Sequence, residues 1–161
     1  MIRFTKVRDV KSPERGTSFS AGIDFFVPND YDEKIILPRE DILIPSGVRL
    51  EIPEHCALIG VDKSGISSSD IAKEHAGIKS KMNSIPTATI VGAKLIDADY
   101  PGEVHIHLIN VGKREMLIRP GMKVAQFMLV PIFYDRIIEV PVSELRIPGG
   151  ERAGGFSSTG I

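Results

Sequence analysis

Two aspartates stand two positions apart in the segment LIDADYPGE, which spans residues 95–103. In an extended strand, side chains at i and i+2 project to the same side, so the carboxylates of Asp97 and Asp99 would share one face. A carboxylate within reach of a water molecule can act as a general base, whereas one in a turn accepts hydrogen bonds from backbone amides. The turn role is the commoner one for such a pair. The surrounding sequence is therefore needed to choose between a turn and a catalytic role.

The residues after these aspartates predict a hairpin. Pro101 and Gly102 match the central positions of a type II turn, with residues 95–100 and 103–110 as the two arms. The aspartates then lie near the tip, where chemistry is easy to place. A carboxylate pair for glycoside hydrolysis is disfavoured, because the chain has no tryptophan and only 6% aromatic residues with which to bind a sugar.

A pair of histidines follows in the second arm of this hairpin. His105 and His107 would project from one face of the strand, as candidate metal ligands do. The neighbouring sequence offers no suitable third ligand. Solvated strand histidines are therefore the favoured interpretation.

Short apolar alternations dominate the chain and predict the strands that must position these residues. Proline, glycine, asparagine and aspartate separate them at the spacing of an all-β sandwich or barrel. One short helix is predicted at residues 69–76, capped by Ser68 or Ser69 and ended by Gly77. The predicted strands are 2–7, 23–27, 33–37, 47–52, 57–62, 103–110, 115–119, 123–130 and 136–140.

Composition restricts the class of protein. The 161 residues suit one domain, and a net charge of -1 gives no broad basic field, so we expect no direct binding of nucleic acid or of anionic lipid. No segment approaches the roughly 20 apolar residues of a membrane span. The lone Cys56, expected in the core, excludes an intramolecular disulfide and fits a reducing compartment. We expect a cytoplasmic protein.

The C-terminal segment GGERAGGFSSTGI is different in kind. It has five glycines and no apolar periodicity, so it is not expected to pack as a strand. Phe156 in its middle has little use in a solvated tail and indicates a flap that a ligand orders. We therefore divide the chain into a β domain, residues 1–148, and a flexible arm, residues 149–161, that closes over an active site.

Five glycine-punctuated segments occur in an order and spacing that resembles the motifs of the trimeric deoxyuridine triphosphatase (dUTPase) family. The resemblance runs over nearly the whole chain, and its specificity comes from the five segments together. It implies a jelly-roll-like β-barrel whose three copies build each active site jointly. The segments are AGIDFFVP (21–28), DKSGIS (62–67), LIDADYPGEV (95–104), GMKVAQFML (121–129) and RAGGFSSTG (152–160).

The resemblance implies hydrolysis of dUTP to dUMP and pyrophosphate. Asp97 matches the general base that activates water for in-line attack on the α-phosphorus, and Asp99 is then structural. Tyr100 matches the residue whose ring packs against deoxyribose and excludes a 2′-hydroxyl. Asp24 matches the acid that holds hydrated Mg2+ on the triphosphate.

The remaining substrate contacts also follow from the resemblance. The phosphate loop would use backbone amides, a hydroxyl and a cation, and the arm would lay an aromatic ring over uracil while its hydroxyls and guanidinium bind phosphate. These implied contacts belong to Lys63, Ser64, Gly65, Gln126, Arg152, Phe156, Ser158 and Thr159.

Some positions depart from the family pattern. Lys63 and Lys123 replace usual arginines, Pro101 replaces another, and Lys94 replaces a usual glycine. Arg152 lies one residue nearer the phenylalanine than usual. The longer stretch at 67–93 is a candidate site for a protein partner. It has no clear uracil-binding asparagine, so backbone groups around 89–93 are the candidates for that role.

Two other functions remain open from the sequence. A dCTP deaminase shares the fold and the trimer, but its catalytic glutamate would fall about where His107 stands. A dUTPase-fold binding module with weak catalysis would recruit its partner through residues 67–93. Asp97, Tyr100 and the GGF arm favour the hydrolase.

Overall fold

A computed structural model describes residues 1–63, 89–93 and 95–146. The predicted helix at 69–76 and the arm at 149–161 lie outside these residues. Within them the chain forms ten strands and one short 3-10 turn, and none of its helices has the length and hydropathy that a membrane span requires. The strands are β1 Arg3–Lys6, β2 Ile23–Phe26, β3 Lys34–Ile36, β4 Asp41–Glu51, β5 Cys56–Val61, β6 Thr89–Val91, β7 Leu95–Ile96, β8 Glu103–Asn110, β9 Met116–Ile118 and β10 Lys123–Pro131; the 3-10 turn is Val142–Glu144.

The strands form two four-stranded sheets and one two-stranded ribbon. The first sheet has the order β1-β4-β8-β6, the second the order β2-β10-β5-β7, and β3 pairs with β9. Every pairing is antiparallel. This arrangement confirms the predicted all-β, jelly-roll-like fold.

One hydrophobic core joins the two sheets. Phe25 of β2 and Phe127 of β10 stack with ring centroids 4.8 Å apart, and Ile44 and Ile106 of the first sheet belong to the same buried cluster. Every second residue of β8 is buried and the residues between them are exposed or only partly buried, which shows why the alternating pattern predicted that strand correctly. Cys56, predicted to be in the core, is only partly buried and packs against the cluster.

Strand β4 is longer than predicted. It runs through Pro45 and Gly47, where the pairing with β8 shifts register. Gly47 has a φ of 73°, and a Cβ there would lie 2.8 Å from Val10 Cγ1, so both backbone geometry and space favour glycine. The bulge allows one strand to continue across residues that usually end one.

The turn before β10 follows its sequence signal. In IRPG, the backbone N–H of Met122 donates to the carbonyl of Arg119 at 3.2 Å, and Gly121 has a φ of 75°. Proline and a left-handed glycine at the two central positions make a type II turn. Sequence and structure agree here because all determinants of the turn are local.

Two local predictions are wrong. β7 pairs with β5, while β8 lies between β4 and β6 in the other sheet, so residues 95–110 do not form a hairpin. Gly102 lacks the positive φ of a type II turn, and the turn instead places the N–H of Tyr100 3.2 Å from the carbonyl of Asp97. Both flanks of β8 are occupied, so no edge remains for β7.

The predicted strand at 136–140 is also absent from the structure. The apolar side chains of this segment face solvent, with Ile137 fully exposed and Ile138 66% exposed. Alternation alone does not create a strand, because a strand needs a partner with free hydrogen-bonding groups. In the described part of the chain, no strand pairs with this segment.

Candidate functional site

The candidate site begins on the outer face of the second sheet. Gln126 of β10 lies directly opposite Asp24 of β2 on one side and Val61 of β5 on the other. Directly opposed residues project to the same face. The core face of this sheet carries Phe25 and Phe127, so Asp24 and Gln126 project away from the core.

A bulge in β10 brings Lys123 to the same face. Lys123 and Gln126 are three positions apart and would face opposite sides of a regular strand. The register between β10 and β2 shifts at Val124, so that Lys123 lies opposite Phe26 while Gln126 lies opposite Asp24. Phe26 and Asp24 are two positions apart in β2 and therefore project to the same face. The bulge thus places their two opposed partners, Lys123 and Gln126, on that face as well.

Asp24 lies between two lysines. The Nζ atom of Lys63 is 3.0 Å from Oδ1 of Asp24, and the Nζ atom of Lys123 is 2.8 Å from Oδ2. Asp24 is buried, with 6% of its surface exposed. A buried carboxylate needs such partners, because removing a charge from water without compensation is costly.

Glu14 extends this cluster. Its carboxylate lies 3.1 Å from Nζ of Lys123 and 2.9 Å from Nζ of Lys11. Backbone hydrogen bonds in both directions hold Glu14 beside Asp24, at 3.2 and 2.7 Å. Three ammonium groups therefore surround two carboxylates, and the cluster has a net charge of about +1, as an anion-binding site requires.

The charges shift one another's pKa. Burial alone would raise the pKa of Asp24, but hydrogen bonds and charge from Lys123 and Lys63 outweigh it and the pKa lies below its ordinary value. Hydrogen bonds from Lys11 and then Lys123 lower the pKa of Glu14. The hydrogen bond to Asp24, followed by that to Glu14, raises the pKa of Lys123. Asp24, Glu14 and Lys123 therefore stay charged near neutral pH.

The donor set can be tested against magnesium. The described residues contain no group of three acidic, histidine or cysteine side chains able to hold a metal directly. Each Asp24 oxygen already accepts from one lysine, and a carboxylate oxygen has a second acceptor position for a metal-bound water. Magnesium usually keeps several waters and takes phosphate oxygens of its substrate. The residues therefore fit the metal through water only.

Gln126 ties the end of β5 to the sheet. Its Nε2 donates to the carbonyl of Asp62 at 3.0 Å, and Oδ1 of Asp62 accepts the N–H of Val91 at 2.7 Å. A Cβ on Gly22 would collide with the amide of Gln126, so glycine is required for this approach. These contacts fix the backbone that leads into Lys63.

Asp97 and Tyr100 lie elsewhere. The hydroxyl of Tyr100 donates to the carbonyl of Glu103 at 3.0 Å, and its ring covers Gly102, where a Cβ would collide with it. The side chain of Tyr100 is 44% exposed, and Asp97 and Asp99 are exposed. Among the described residues, neither aspartate carboxylate has a hydrogen-bond or ion-pair partner.

Strand register separates Asp97 from the lysine cluster, the group in which Lys11, Lys63 and Lys123 surround Asp24 and Glu14. Ile96, just before Asp97, pairs with Leu58, whereas the cluster lies at the level of Val61, at the other end of β5. The offset is about 13 Å along the strands, and three strand spacings from β7 to β2 add about 14 Å across them. One chain therefore carries two separate groups of candidate site residues.

The structure thus brings together four residues that the sequence singled out, Asp24, Lys63, Lys123 and Gln126. Six others, namely Ser64, Gly65, Arg152, Phe156, Ser158 and Thr159, lie outside the described residues. Glu14 and Asp62 were missed. Asp62 stands beside Lys63 in the DKSGIS segment, which was a usable signal, whereas nothing in the local sequence of Glu14 indicates its role.

His105 and His107 are not free strand histidines. His105 Nδ1 lies 2.9 Å from the carbonyl of Glu103, and His107 Nε2 lies 2.9 Å from Oδ2 of Asp41. The interpretation of both as solvated side chains is wrong for His107, which is partly buried.

The sequence of the chain matches a known protein family. The dUTPase family model matches residues 79–160. A deoxyuridine 5'-triphosphate nucleotidohydrolase of Rhizobium etli is 32% identical over 162 residues, covering 100% of this chain and 92% of that protein. One of Rickettsia bellii is 34% identical over 152 residues, covering 94% of this chain and 88% of that protein.

The fold agrees with these matches. A variant of Staphylococcus bacteriophage 80alpha dUTPase with dUpNHpp superposes with a TM-score of 0.77 at 21% identity, covering 100% of this chain and 99% of the other. The sequence relatives span the five segments, and the structural likeness extends to the whole fold. The chain belongs to the dUTPase family.

Proposed function

We propose that the protein hydrolyses dUTP to dUMP and pyrophosphate by in-line attack of water on the α-phosphorus. Such a reaction limits uracil in DNA and supplies dUMP for thymidylate synthesis. The observation that carries the proposal is the cluster of Lys63 and Lys123 on buried Asp24, in a chain whose relatives are deoxyuridine triphosphate nucleotidohydrolases. Its positive charge suits a triphosphate.

Asp97 is the proposed general base. An exposed carboxylate without a partner in the described part of the chain is available to orient a water and take its proton. Tyr100 would pack against deoxyribose. Its hydroxyl is held by Glu103 and its ring lies on Gly102, so the ring has a fixed place from which to exclude a 2′-hydroxyl.

The lysine cluster is the proposed phosphate end of the site. Lys63 and the adjoining Ser64 and Gly65 would receive phosphate oxygens, with the backbone placed by the hydrogen bond between Gln126 and Asp62. Asp24 would hold hydrated Mg2+ through water, and the metal would neutralise the leaving pyrophosphate. The lysines and Asp24 orient the chain of phosphates.

We further propose a homotrimer. Asp97 and the lysine cluster lie at opposite ends of β5 in one chain, and a site that uses both requires a second copy. Large apolar side chains also face solvent in the segment from Phe133 to Leu145, which indicates a surface that another chain covers. They are Phe133, Tyr134, Ile137, Ile138, Val142 and Leu145.

The other parts of the proposal concern residues 67–93 and the C-terminal arm. Arg152, Phe156, Ser158 and Thr159 of the arm would close over uracil and phosphate, and residues 67–93 would offer a surface to a protein partner. A cytoplasmic location is also proposed, and the single cysteine, Cys56, fits a reducing compartment. Deamination of dCTP is not favoured, because His107 stands where the catalytic glutamate would be needed.

Release of pyrophosphate from dUTP tests the proposal. The purified chain with Mg2+ should convert dUTP to dUMP and pyrophosphate, leave UTP nearly untouched and release no ammonia from dCTP. A folded protein that binds dUpNHpp but releases no pyrophosphate would be a binding module instead. Ammonia release would make it a deaminase.

A further inference from the structure

The side chain of His107 links three strands of the first sheet. Its Nε2 lies 2.9 Å from Oδ2 of Asp41 at the start of β4. Its Nδ1 lies 3.1 Å from the backbone nitrogen of Ala93, which follows β6. His107 itself lies in β8, between these two strands. One imidazole therefore connects a neighbouring strand with the segment that leads out of the sheet.

These contacts define which ring nitrogen of neutral His107 carries the proton. A backbone N–H is always a donor, so Nδ1 accepts the Ala93 N–H and carries no proton. The proton of the neutral ring is then on Nε2, where it is donated to Asp41. A doubly protonated ring would keep Asp41 and lose Ala93, because it has no acceptor left.

The approach of Ala93 depends on Gly92. A Cβ on Gly92 would collide with Nδ1 of His107, so only glycine lets the backbone lie against the ring. The N–H of Gly92 donates to the carbonyl of His107 at 2.8 Å. The regular β6–β8 pairing ends at Val91, and these two bonds prolong it by two residues.

We propose that the neutral imidazole of His107 is a positioning group, which holds the backbone of Gly92 and Ala93 and thereby sets where β7 begins. Leu95 starts β7 two residues after Ala93, and Asp97 follows β7 directly. The expected effect of His107 on turnover rests on the proposed function, because it acts through Asp97. The expected effect on the backbone of Gly92 and Ala93 is independent of that function.

Few charged groups face this imidazole. Asp41 is the charged side chain that β4 presents to it, and residues 89–93 carry no titratable side chain. On β8, His105 projects to the same face two residues away, with its Nδ1 2.9 Å from the carbonyl of Glu103. A proton on Nδ1 of His107 itself would therefore remove the acceptor of the Ala93 N–H.

Amide hydrogen exchange followed by NMR tests the backbone part. Ala93 and Gly92 are neighbours, yet Ala93 donates to the ring and Gly92 to a backbone carbonyl. As the pH falls through the titration of His107, read from its own ring signals, the protection factor of Ala93 should fall about tenfold while that of Gly92 stays nearly constant. Equal behaviour of the two amides, or a ring protonated at Nδ1 at high pH, would overturn the proposal.

Two substitutions test the effect on the reaction. His107→Asn places a carbonyl oxygen near the position of Nδ1 without a titrating group, whereas His107→Leu removes the acceptor. His107→Leu should lower kcat about tenfold, and His107→Asn should restore most of it. His105→Asn, on the same face, is the matched control and should leave kcat unchanged. A normal kcat in a folded His107→Leu protein would refute the positioning role, and the exchange experiment decides the backbone role whether or not dUTP is hydrolysed.

Discussion

Lys123 lies 2.8 Å from the carboxylate of Asp24, 99 positions away in the sequence, because a bulge at Val124 turns the lysine to the outer face of the second sheet. Without the bulge its side chain would point to the core. Lys63 approaches the other oxygen of the same carboxylate at 3.0 Å. Asp24 is thus the common anchor of two cations, one in β10 and one just after the end of β5.

Replacement of the anchor should weaken nucleotide binding. In Asp24→Asn the amide keeps the shape but not the charge, so two lysines lose their common partner. We expect kcat/KM for dUTP to fall on the order of 10- to 100-fold, mostly through KM, and the free energy of unfolding to fall by about 2–3 kcal/mol. Steady-state kinetics and urea unfolding measure the two effects. Asp30→Asn, which loses only an exposed ion pair with Arg8, should change stability by less than about 0.5 kcal/mol.

The stability difference for Asp24→Asn should depend on pH. Burial would raise the pKa of Asp24, but Lys123 and Lys63 lower it overall, so the folded pKa is below that of an unfolded aspartate, about 3.9. A lowered folded pKa stabilises the protein above the unfolded pKa, and this contribution disappears as the pH falls through the folded value. The difference in free energy of unfolding between the two proteins should therefore be constant between pH 5 and 8, begin to shrink below about pH 4, and disappear as the pH falls through the lower folded pKa. A difference that persisted in acid would show that charge is not its cause.

Gly22 is predicted to be essential for the observed position of the Gln126 side-chain amide. In Gly22→Ala the new methyl group would collide with the amide of Gln126 and displace it from the carbonyl of Asp62. We expect a loss of about 1–3 kcal/mol in stability and a rise in KM, because the backbone before Lys63 is no longer held. Gly16→Ala is the matched control, since its methyl would meet only Ser20 Oγ, at an ordinary 3.5 Å. Equal effects of the two substitutions would contradict the assignment.

Asn110 is a buried polar residue that the sequence pattern did not single out. Its side chain donates to the carbonyls of Ile36 and Arg114, at 2.9 and 2.7 Å, and accepts the N–H of Gly112 at 3.0 Å. Asn110→Ala removes the partner of the buried Ile36 carbonyl and of the partly buried backbone groups of Arg114 and Gly112, and should lower the free energy of unfolding by about 2–4 kcal/mol. Chemical denaturation measures this loss. The exposed Asn29→Ala should change it by no more than about 0.5 kcal/mol.

Elements whose determinants are local were predictable. Every second residue of β8 is buried, with exposed or partly buried residues between them, and the turn at Gly121 carries its own proline and glycine. The partner of a strand is a different matter, since it is set by the register of distant segments. For this reason the predictions of a hairpin at 95–110 and of a strand at 136–140 were wrong, although both segments had a suitable local pattern.

The same distinction applies to the candidate site. Asp24, Lys63 and Gln126 were selected through a family resemblance, and the structure brings them together. Glu14 was missed because it reaches the site through an isolated bridge to Asp24, which leaves no periodic trace in the sequence. The distance between this cluster and Asp97 was not predictable either, because it results from the place of β7 at the sheet edge.

Asp97→Asn separates binding from the chemical step. The amide has nearly the same size as the carboxylate but does not take a proton from water, so turnover should fall by about three orders of magnitude while dUpNHpp binds with little change. Asp99→Asn is the control two residues away. It should retain most of the activity, because Asp99 is assigned no role in proton transfer. Comparable losses in the two variants would remove Asp97 from the proposed role of base.

The separation of Asp97 from the lysine cluster predicts complementation between two impaired chains, measured with dUTP well below KM so that Asp24→Asn is also slow. In a homotrimer whose sites take Asp97 from one chain and Asp24 from another, some sites of a mixed trimer contain neither substitution. Unfolding and refolding Asp97→Asn and Asp24→Asn chains together at a 1:1 ratio should therefore restore about a quarter of the wild-type activity, since each intact residue is present at a given site with a chance of about one half. Each variant refolded alone should stay at its own low level. Native mass spectrometry of differently tagged chains shows whether mixing has occurred, and proven mixing without recovery would mean that each site is built within a single chain.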